Sequence, residues 1–114
     1  RLSTFLVAEH EGQVVGFATY SQFRGGLGYA HAMEHTVYLS PVARGRGLGR
    51  QLMLRLIDQA RQVQVHCLVA GIGGENHGGI AFHAALGFVE TGRLPEVGRK
   101  FSRWMDLVLM QKNL

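Results

Sequence analysis

Residues 44–49, Arg-Gly-Arg-Gly-Leu-Gly, combine glycines with arginines, and Arg50 follows them directly. A strand-like run ends at Leu39, a few residues earlier, and a helical pattern begins at Leu48. The first turn of a helix has free backbone N–H groups and the positive end of the helix dipole, which together favour a bound anion. Glycines let a ligand approach the backbone closely, and the arginines add positive charge. The stretch therefore predicts a phosphate-binding turn, the alternative being a basic, glycine-rich surface turn.

Two common phosphate-binding motifs do not fit this turn. The Walker motif requires a lysine after its last glycine, and Arg50 stands at that position. The dinucleotide-binding motif requires Gly-x-Gly-x-x-Gly, whereas Gly45, Gly47 and Gly49 are each two residues apart. The pattern that fits is Arg-x-x-Gly-x-Gly, beginning at Arg44. Other segments of the chain must therefore identify the phosphate ligand.

The bulk composition is that of a small globular domain. The chain has 114 residues, of which 46% are hydrophobic and 18% charged, so we expect one domain over residues 1–114. Its net charge of +4 suits an anionic ligand, but the basic residues lack interleaved aromatics, which argues against a nucleic-acid partner. No apolar run has membrane-spanning length and no signal peptide is evident, which predicts a cytoplasmic location without a membrane partner.

Hydrophobic patterns divide the chain into strands and helices. Strands are predicted at 5–10, 14–20, 34–39, 65–72, 88–91 and 104–110. Helices are predicted over 48–63, where apolar residues recur at helical spacing, and over 76–86, where Gly87 ends the pattern. Glycines predict a loop or an irregular strand at 22–28, and glycine with proline predicts a loop at 92–100. The order β-β-β-loop-α-β-α-β-β indicates an α/β fold with a central sheet.

Several further segments match one family of enzymes. They are Met33–Tyr38, Glu75-Asn76, His83-x-x-x-Gly87-Phe88 and the closing run Val97–Asp106. Together with the Arg-x-x-Gly-x-Gly turn, these segments resemble the GCN5-related N-acetyltransferase (GNAT) superfamily. The closing run, Val-Gly-Arg-Lys-Phe-Ser-Arg-Trp-Met-Asp, is similar to that of the phosphinothricin and methionine sulfoximine N-acetyltransferases. Matching segments extend from about Phe23 to Gln111.

The resemblance implies an α/β (α+β) fold in which helices flank a central mixed sheet. Family members normally begin with a strand and two helices ahead of the first hairpin, and we expect these elements to be missing from this N-terminally short acetyltransferase domain. Those helices normally form part of the wall of the acceptor pocket, so substrate binding is the property that their absence would affect most. The chain also departs from the family at Gly78 and Gly79, which should weaken the start of the second helix by about 1 kcal/mol each.

The resemblance also implies an activity. It is the transfer of an acetyl group from acetyl-coenzyme A, a co-substrate, to the α-amine of a small amino-acid analogue such as phosphinothricin, methionine sulfoximine or methionine sulfone. Direct transfer without an acyl-enzyme, assembly as a homodimer and a role in detoxification are implied as well. The alternative is a non-catalytic acyl-coenzyme A-binding module or an inactive acetyltransferase fragment. Nucleic-acid binding by the basic turn ranks last.

Two residues are expected to move protons. Glu34 matches the family's acidic residue facing the acceptor, which makes it the predicted general base that takes the amine proton directly or through water. The alternative for Glu34 is a solvent-facing strand residue. His83 stands where many relatives carry a tyrosine that protonates the leaving thiolate, which a histidine can also do. The alternative for His83 is a structural histidine beside the cofactor.

The resemblance further implies a set of binding residues. Backbone groups of the strand before the turn would hold the pantetheine arm and the thioester carbonyl, and the turn would hold the pyrophosphate. Asn76 would hydrogen-bond the arm, with a simple helix cap as the alternative. The predicted cofactor-binding residues are Val37, Tyr38, Leu39, Arg44, Gly45, Arg46, Gly47, Leu48, Gly49, Arg50 and Asn76. The predicted substrate-binding residues are Phe23, Tyr29 and Lys100.

Histidine and cysteine residues raise the question of a metal site. His31 and His35 would share a face of one strand, but no third ligand stands at a characteristic spacing, so no metal is expected. The single cysteine, Cys67, lies in an apolar strand. That position predicts a buried, unreactive thiol and no internal disulfide.

Overall fold

The computed structural model describes residues 4–114, which form one mixed sheet with two α-helices. The strands are β1 (Thr4–His10), β2 (Gln13–Gln22), β3 (Ala32–Leu39), β4 (Cys67–Gly73), β5 (Val89–Lys100) and β6 (Arg103–Asn113). The helices are α1 (Leu48–Gln62) and α2 (His77–Ala85). Single 3-10 turns lie at Leu27–Tyr29 and Pro41–Ala43. The predicted α/β fold with a central sheet is confirmed.

The six strands are ordered β1-β2-β3-β4-β6-β5 across the sheet. The first three strands form an antiparallel meander, and α1 then carries the chain across to β4, which runs parallel to β3. The last hairpin, β5 and β6, joins the sheet through antiparallel pairing of β6 with β4. The parallel step places the end of β3 and the start of α1 at the same edge as the end of β4, where ligands bind in open α/β sheets.

The two central strands, β3 and β4, pair over a short stretch and then diverge. β3 and β4 pair only from Ala32–Cys67 to Glu34–Val69, although β3 continues to Leu39 and β4 continues to Gly73. Over its remaining length β4 is paired with β6, ending at Gly73–Leu107. A wedge therefore opens between residues 35–39 of β3 and residues 70–73 of β4, and their facing backbone groups are not used up by ladder hydrogen bonds between these two strands.

The core lies between the sheet and one face of α1. The buried face of this helix recurs at helical spacing and consists of Leu52, Met53, Leu56, Ile57 and Ala60. It packs on inward-facing strand residues such as Ala18, Tyr20, Met33 and Leu68. Each fully buried large apolar side chain contributes about 1.5–3 kcal/mol relative to exposure. The predicted helix over 48–63 and the predicted fully apolar strand β4 are both confirmed.

The prediction of a loop over residues 92–100 is wrong, because β5 continues as a strand to Lys100. Pro95 is tolerated because β5 is an edge strand and pairs irregularly with β6 between Leu94 and Gly98, where Glu96 has a positive φ of 54°. The strand then reverses through a two-residue turn. Pairing with β6 thus overrides the local signals of proline and glycine.

The prediction that His31 and His35 share a strand face is also wrong. His31 lies in the turn before β3, with its Nδ1 atom 3.0 Å from the Gln64 carbonyl oxygen. Within residues 4–114 no group of three or more His, Cys, Asp or Glu side chains is placed to hold a metal ion. Cys67 is buried as predicted, and burial raises the pKa of its thiol. Neither α1 nor α2 has the length and apolarity to cross a membrane.

Candidate functional site

A cleft of about 700 Å³ occupies the wedge between β3 and β4. That volume is in the range of small-molecule sites. Side chains and backbone from β3, the glycine turn, β4 and α2 line it. They are Glu34, His35, Thr36, Val37, Leu39, Arg44, Gly45, Gly47, Gly49, Arg50, Ala70, Gly71, Ile72, Gly73, Asn76, Gly78, Gly79, Phe82 and His83. Ten of the sixteen predicted site residues are therefore brought together in one place.

The glycine turn forms the basic end of the cleft. Gly45 and Gly47 have positive φ angles of 79° and 75°, which a non-glycine residue adopts only at a cost. Gly47 caps α1, and its carbonyl accepts the first helical hydrogen bond, from the Gln51 N–H. The Arg44 Nε donates to the Leu39 carbonyl at 3.1 Å, which ties the turn back to the end of β3. A helix start without a side-chain cap and with arginines beside it is suited to an anion.

A second helix start adjoins the first. Asn76 Oδ1 accepts a hydrogen bond from the Gly79 N–H at 2.9 Å, so the predicted cap of α2 is confirmed while Asn76 also lines the cleft. A Cβ placed on Gly49 in α1 would lie 3.4 Å from the Phe82 ring in α2, which shows how closely the two helices approach. Two helix dipoles thus direct positive potential into one cleft.

Alanine substitutions at the two glycines that begin α2 are expected to change the free energy of unfolding in opposite directions. A Cβ on Gly79 would lie 2.6 Å from Asn76 Nδ2, whereas a Cβ on Gly78 would meet nothing closer than 3.9 Å. Gly79→Ala must displace the Asn76 cap, and we expect it to lower the free energy of unfolding by about 1 kcal/mol. Gly78→Ala should raise it by up to about 1 kcal/mol through helix propensity. Urea unfolding of both variants checks the pair, and equal midpoints would contradict it.

Glu34 forms the other end of the cleft. Its side chain is exposed, and a Cβ on Gly71 of β4 would lie 3.3 Å from Glu34 Oε2. The carboxylate therefore lies over a glycine that leaves room for it between the strands. Leu39 lies five residues beyond Glu34 along an extended strand, a span of roughly 17 Å. The cleft is thus basic at one end and acidic at the other.

His35 and His83 form a buried pair beside this acidic end. Both are nearly inaccessible, at 4% and 6% exposure, and their Nε2 atoms are 2.9 Å apart. The rings are surrounded by aromatic side chains, with Phe88 centred 5.2 Å from each of them. Burial lowers the pKa of His83, and burial together with the nearby His83 lowers the pKa of His35 to about 3. Both rings are therefore neutral at neutral pH.

The hydrogen bonds define the tautomers of this pair. His83 Nδ1 is 2.8 Å from the Gly79 carbonyl oxygen, which can only accept, so Nδ1 carries the proton. The Nε2 atom of neutral His83 is then an acceptor, and His35 Nε2–H must be the donor between the rings. Both ring nitrogens of His83 are engaged within the protein. This geometry favours the structural alternative for His83 over the role of proton donor.

Six predicted site residues do not line the cleft. The Tyr38 ring packs near Phe17, the Arg46 guanidinium lies 2.9 Å from His10 Nε2, and Leu48 begins α1. Phe23 and Tyr29 are partly exposed residues between β2 and β3, at 38% and 47%. Lys100 lies at the tip of the last hairpin, near the Phe101 ring. Their predicted binding roles remain predictions.

Sequence reasoning missed several residues of the cleft. From the sequence His35 is considered only as a possible metal ligand, and Ala70 and Gly71 simply belong to the predicted strand over 65–72. All three line the cleft, as does Gly73 just beyond that prediction. A glycine inside an otherwise apolar strand is a signal for close approach of another group, and Gly71 carried that signal. Phe82 had no such signal, since an aromatic residue in a helix is usually core.

Comparison with known proteins agrees with this geometry. The sequence matches the model of the acetyltransferase (GNAT) family over residues 1–88. It is 47% identical over 109 residues to the L-amino acid N-acyltransferase MnaT of Escherichia coli (strain K12), covering 96% of this chain and 63% of that protein. It is 46% identical to the L-methionine sulfoximine/L-methionine sulfone acetyltransferase of Salmonella typhimurium, covering 96% and 64%. The chain thus spans less than two thirds of the length of these curated relatives.

Solved structures share the fold. A ribosomal-protein-alanine N-acetyltransferase from Brucella melitensis superposes with a TM-score of 0.93 at 52% identity, covering 96% of this chain and 68% of that one. A phosphinothricin acetyltransferase from Sinorhizobium meliloti, in complex with acetyl-coenzyme A, gives a TM-score of 0.91 at 39% identity, covering 96% and 60%. The fold, the cleft at two helix starts and the family match agree, and this chain belongs to the GNAT family of acetyltransferases.

Proposed function

We propose that this chain is an acetyl-coenzyme A-dependent N-acetyltransferase acting on the α-amine of a small amino acid or amino-acid analogue of the phosphinothricin, methionine sulfoximine or methionine sulfone type. The observation that carries the proposal is the polarity of the cleft. It has two helix starts and arginines at one end, a carboxylate at the other, and strand edges between them. This arrangement suits a long ligand that is anionic at one end and carries its reactive group at the other.

The residues of the cleft fit coenzyme A. The glycine turn and Arg44 and Arg50 would hold the pyrophosphate, chiefly through backbone N–H groups at the start of α1. The backbone of Val37 and Leu39 would hydrogen-bond the pantetheine arm, because β3 has no partner strand on that side beyond Glu34 within the described chain. Asn76 would offer its remaining amide hydrogens to the same arm.

Glu34 would act as the general base. When bound, acetyl-coenzyme A supplies the thioester, whose carbonyl carbon receives the amine nitrogen while the carbon–sulfur bond breaks. The carboxylate of Glu34 takes the proton that the amine loses, directly or through one water, and carries it as the neutral acid. A backbone N–H of β3 stabilises the charge that develops on the carbonyl oxygen. No acyl-enzyme is required.

His83 would form part of the cleft wall rather than donate a proton. Its Nδ1–H is directed at the Gly79 carbonyl and its Nε2 lone pair at His35. A proton on the leaving thiolate would therefore come from solvent or from the protonated Glu34. This assignment gives the two residues different roles, because only Glu34 takes up a proton during the reaction.

The acceptor class is supported by relatives rather than by the cleft. The Escherichia coli relative is an L-amino acid N-acyltransferase, and the Salmonella relative acts on methionine sulfoximine and methionine sulfone. We extend these acceptors to this chain because the Val97–Asp106 run and Glu34 are part of the matched region. Homodimer assembly, cytoplasmic location and a detoxification role remain predictions alongside it.

The test of this function is release of free thiol. Purified protein is mixed with acetyl-coenzyme A and each of phosphinothricin, methionine sulfoximine and methionine sulfone, and thiol is followed with a chromogenic disulfide. We expect amine-dependent release with at least one of them. Absence of release above the amine-free rate with all three would remove the catalytic proposal.

A second function, a non-catalytic acyl-coenzyme A-binding module, is favoured by one observation. The predicted acceptor residues Phe23, Tyr29 and Lys100 are exposed and do not line the cleft, which leaves the amine side without the expected walls. Calorimetry separates the two functions. Binding of coenzyme A without turnover of any amine would indicate the module.

Gly47→Ala should weaken coenzyme A binding. Gly47 has a φ of 75° and begins α1 at the cleft, so an added Cβ strains the turn by about 1–2 kcal/mol and the dissociation constant should rise about tenfold. Gly25→Ala is the matched control, since Gly25 has open space around it and lies outside the cleft. Calorimetry measures both dissociation constants, and equal values would contradict the role of the turn.

A further inference from the structure

The buried histidine pair contains a group that the proposed mechanism does not use. His35 lies on β3 between Glu34 and Thr36, and its side chain faces the interior with 4% exposure. Its Nε2–H donates to His83, but its Nδ1 atom is buried without a hydrogen-bond partner within residues 4–114. Burying such an acceptor unsatisfied costs about 1–3 kcal/mol. A leucine of similar volume would avoid that cost, so the retained donor is expected to serve a purpose.

The Nε2–H donor is the only part of the His35 side chain that reaches another element through a hydrogen bond in the described chain. It links β3 to α2 at 2.9 Å, through His83. His83 continues the connection, because its Nδ1–H donates to the Gly79 carbonyl one turn earlier in α2. Gly79 in turn donates its N–H to the Asn76 cap. Four groups are thus connected in one chain of hydrogen bonds, from the strand that carries Glu34 to the first turn of α2.

This chain of hydrogen bonds spans the cleft. At one end β3 contributes Glu34 and the backbone of Val37, and at the other end Asn76, Gly78 and Gly79 form the opposite wall. α2 has only nine residues and begins with two glycines after His77. A short helix of weak propensity depends on tertiary contacts for its position. The hydrogen bond from His35 is such a contact.

We propose that His35 is a positioning residue: by donating from Nε2–H, it pairs the Nε2 acceptor that the Nδ1–H tautomer of His83 presents and thereby fixes the first turn of α2 against β3. This inference rests on the proposed function, because it assigns the wall that His35 holds to coenzyme A. His35 itself touches neither reacting group. Its effect should appear in cofactor binding and not in the chemical step.

The first measurement is the tautomer itself. In the full chain with ¹⁵N-labelled histidine, the long-range nitrogen–proton spectrum distinguishes Nδ1–H from Nε2–H rings without any ligand or turnover. We expect His83 as the Nδ1–H form and His35 as the Nε2–H form. In His35→Leu the unprotonated Nε2 of His83 loses its donor, so its ¹⁵N shift should move towards that of a free acceptor. In His35→Gln it should keep the wild-type shift, because the Gln Nε2 group occupies the donor position. A wild-type His83 in the Nε2–H form would overturn the proposal.

The second measurement is cofactor binding. His35→Leu should bind coenzyme A about tenfold more weakly and raise the KM for acetyl-coenzyme A, since a buried acceptor on His83 is left unpaired. His35→Gln should bind within about twofold of wild type because it restores the donor. His66→Gln, at an exposed position, is the control that removes a histidine without touching the pair. Unchanged affinity in folded His35→Leu, or no rescue by His35→Gln, would overturn the proposal.

The readouts keep the two proposals apart. If no amine is acetylated but the tautomer and coenzyme A results are as expected, the catalytic function fails and the positioning role stands. If acetylation occurs with equal efficiency in wild type and His35→Leu, the positioning role fails and the function stands. If His35→Leu does not fold, the wild-type tautomer and the binding by His35→Gln decide, and a tenfold loss in His35→Gln would count against the proposal.

Discussion

Glu34→Gln is expected to lower kcat by about 10²- to 10⁴-fold, the usual contribution of a general base. The amide has nearly the same shape as the carboxylate but takes up no proton at neutral pH. Because Glu34 lies over Gly71 at the far end of the cleft from the glycine turn, coenzyme A should bind with an unchanged dissociation constant. Steady-state kinetics with a reactive amine and calorimetry with coenzyme A measure the two quantities separately.

A matched variant provides the control for this prediction. Glu90→Gln makes the same chemical change at an exposed position on β5, outside the cleft, and should leave kcat unchanged. Glu34 is itself exposed and takes no part in the core, so Glu34→Gln should unfold at the wild-type urea midpoint. A variant that is folded, binds coenzyme A and retains kcat within a few-fold of wild type would show that Glu34 is not the base.

Acidification is expected to destabilise the protein through the histidine pair. The pKa of His35 is about 3 in the folded chain against an ordinary value of 6.5, and burial also lowers the pKa of His83. Between pH 6.5 and about pH 3 the His35 ring is protonated in the unfolded chain and neutral in the folded chain. The free energy of unfolding is therefore not reduced by His35 above pH 6.5, and it decreases as the pH is lowered from 6.5 towards 3. His35 alone should remove about 2 kcal/mol between about pH 7.5 and 5.0.

Variants identify the source of this loss. His83 of α2 is the titratable group that faces His35 directly, Tyr20 pairs with it from β2, and Glu34 and Thr36 project to the other face of β3. His35→Gln should flatten the dependence of the free energy of unfolding on pH, whereas His66→Gln should not. Measuring above pH 5 avoids titration of Asp106, whose pKa is held low by the Glu96 N–H and by Arg93. A wild-type stability that is flat from pH 7.5 to 5.0 would contradict the prediction.

The last hairpin shows where local signals fail. Pro95 and Gly98 lie within β5, yet both signal a loop when only their neighbours in sequence are considered. An edge strand can omit one donor and bulge around it, and pairing with β6 supplies the remaining hydrogen bonds. The hairpin is further fixed to the body by Arg103, which donates to both carboxylate oxygens of Glu75 at 3.0 and 2.9 Å. Glu75 is twenty-eight residues from Arg103, so no local pattern signals this contact.

The histidine pair shows the same limit in the site. His35 and His83 are separated by forty-eight residues, and only the tertiary packing of α2 and β3 brings their Nε2 atoms to 2.9 Å. From the sequence each histidine is judged alone: the family resemblance suggests a proton donor in His83, and the spacing of His31 and His35 suggests no metal site. In the fold the Gly79 carbonyl determines which nitrogen of His83 carries the proton, and His83 in turn determines it for His35. The chemistry of both residues follows from a contact that no local pattern records.

The sequence by itself determined the elements whose signals are local. Helical spacing defined α1, continuous apolar character defined β4, and glycines at positions needing positive φ defined the turn between β3 and α1. These features depend on interactions between residues only a few positions apart, so the local sequence is enough to predict them. Only the tertiary structure decided how β3 and β4 diverge, which places Glu34 over Gly71 and opens the cleft, because strand separation depends on packing between segments distant in sequence.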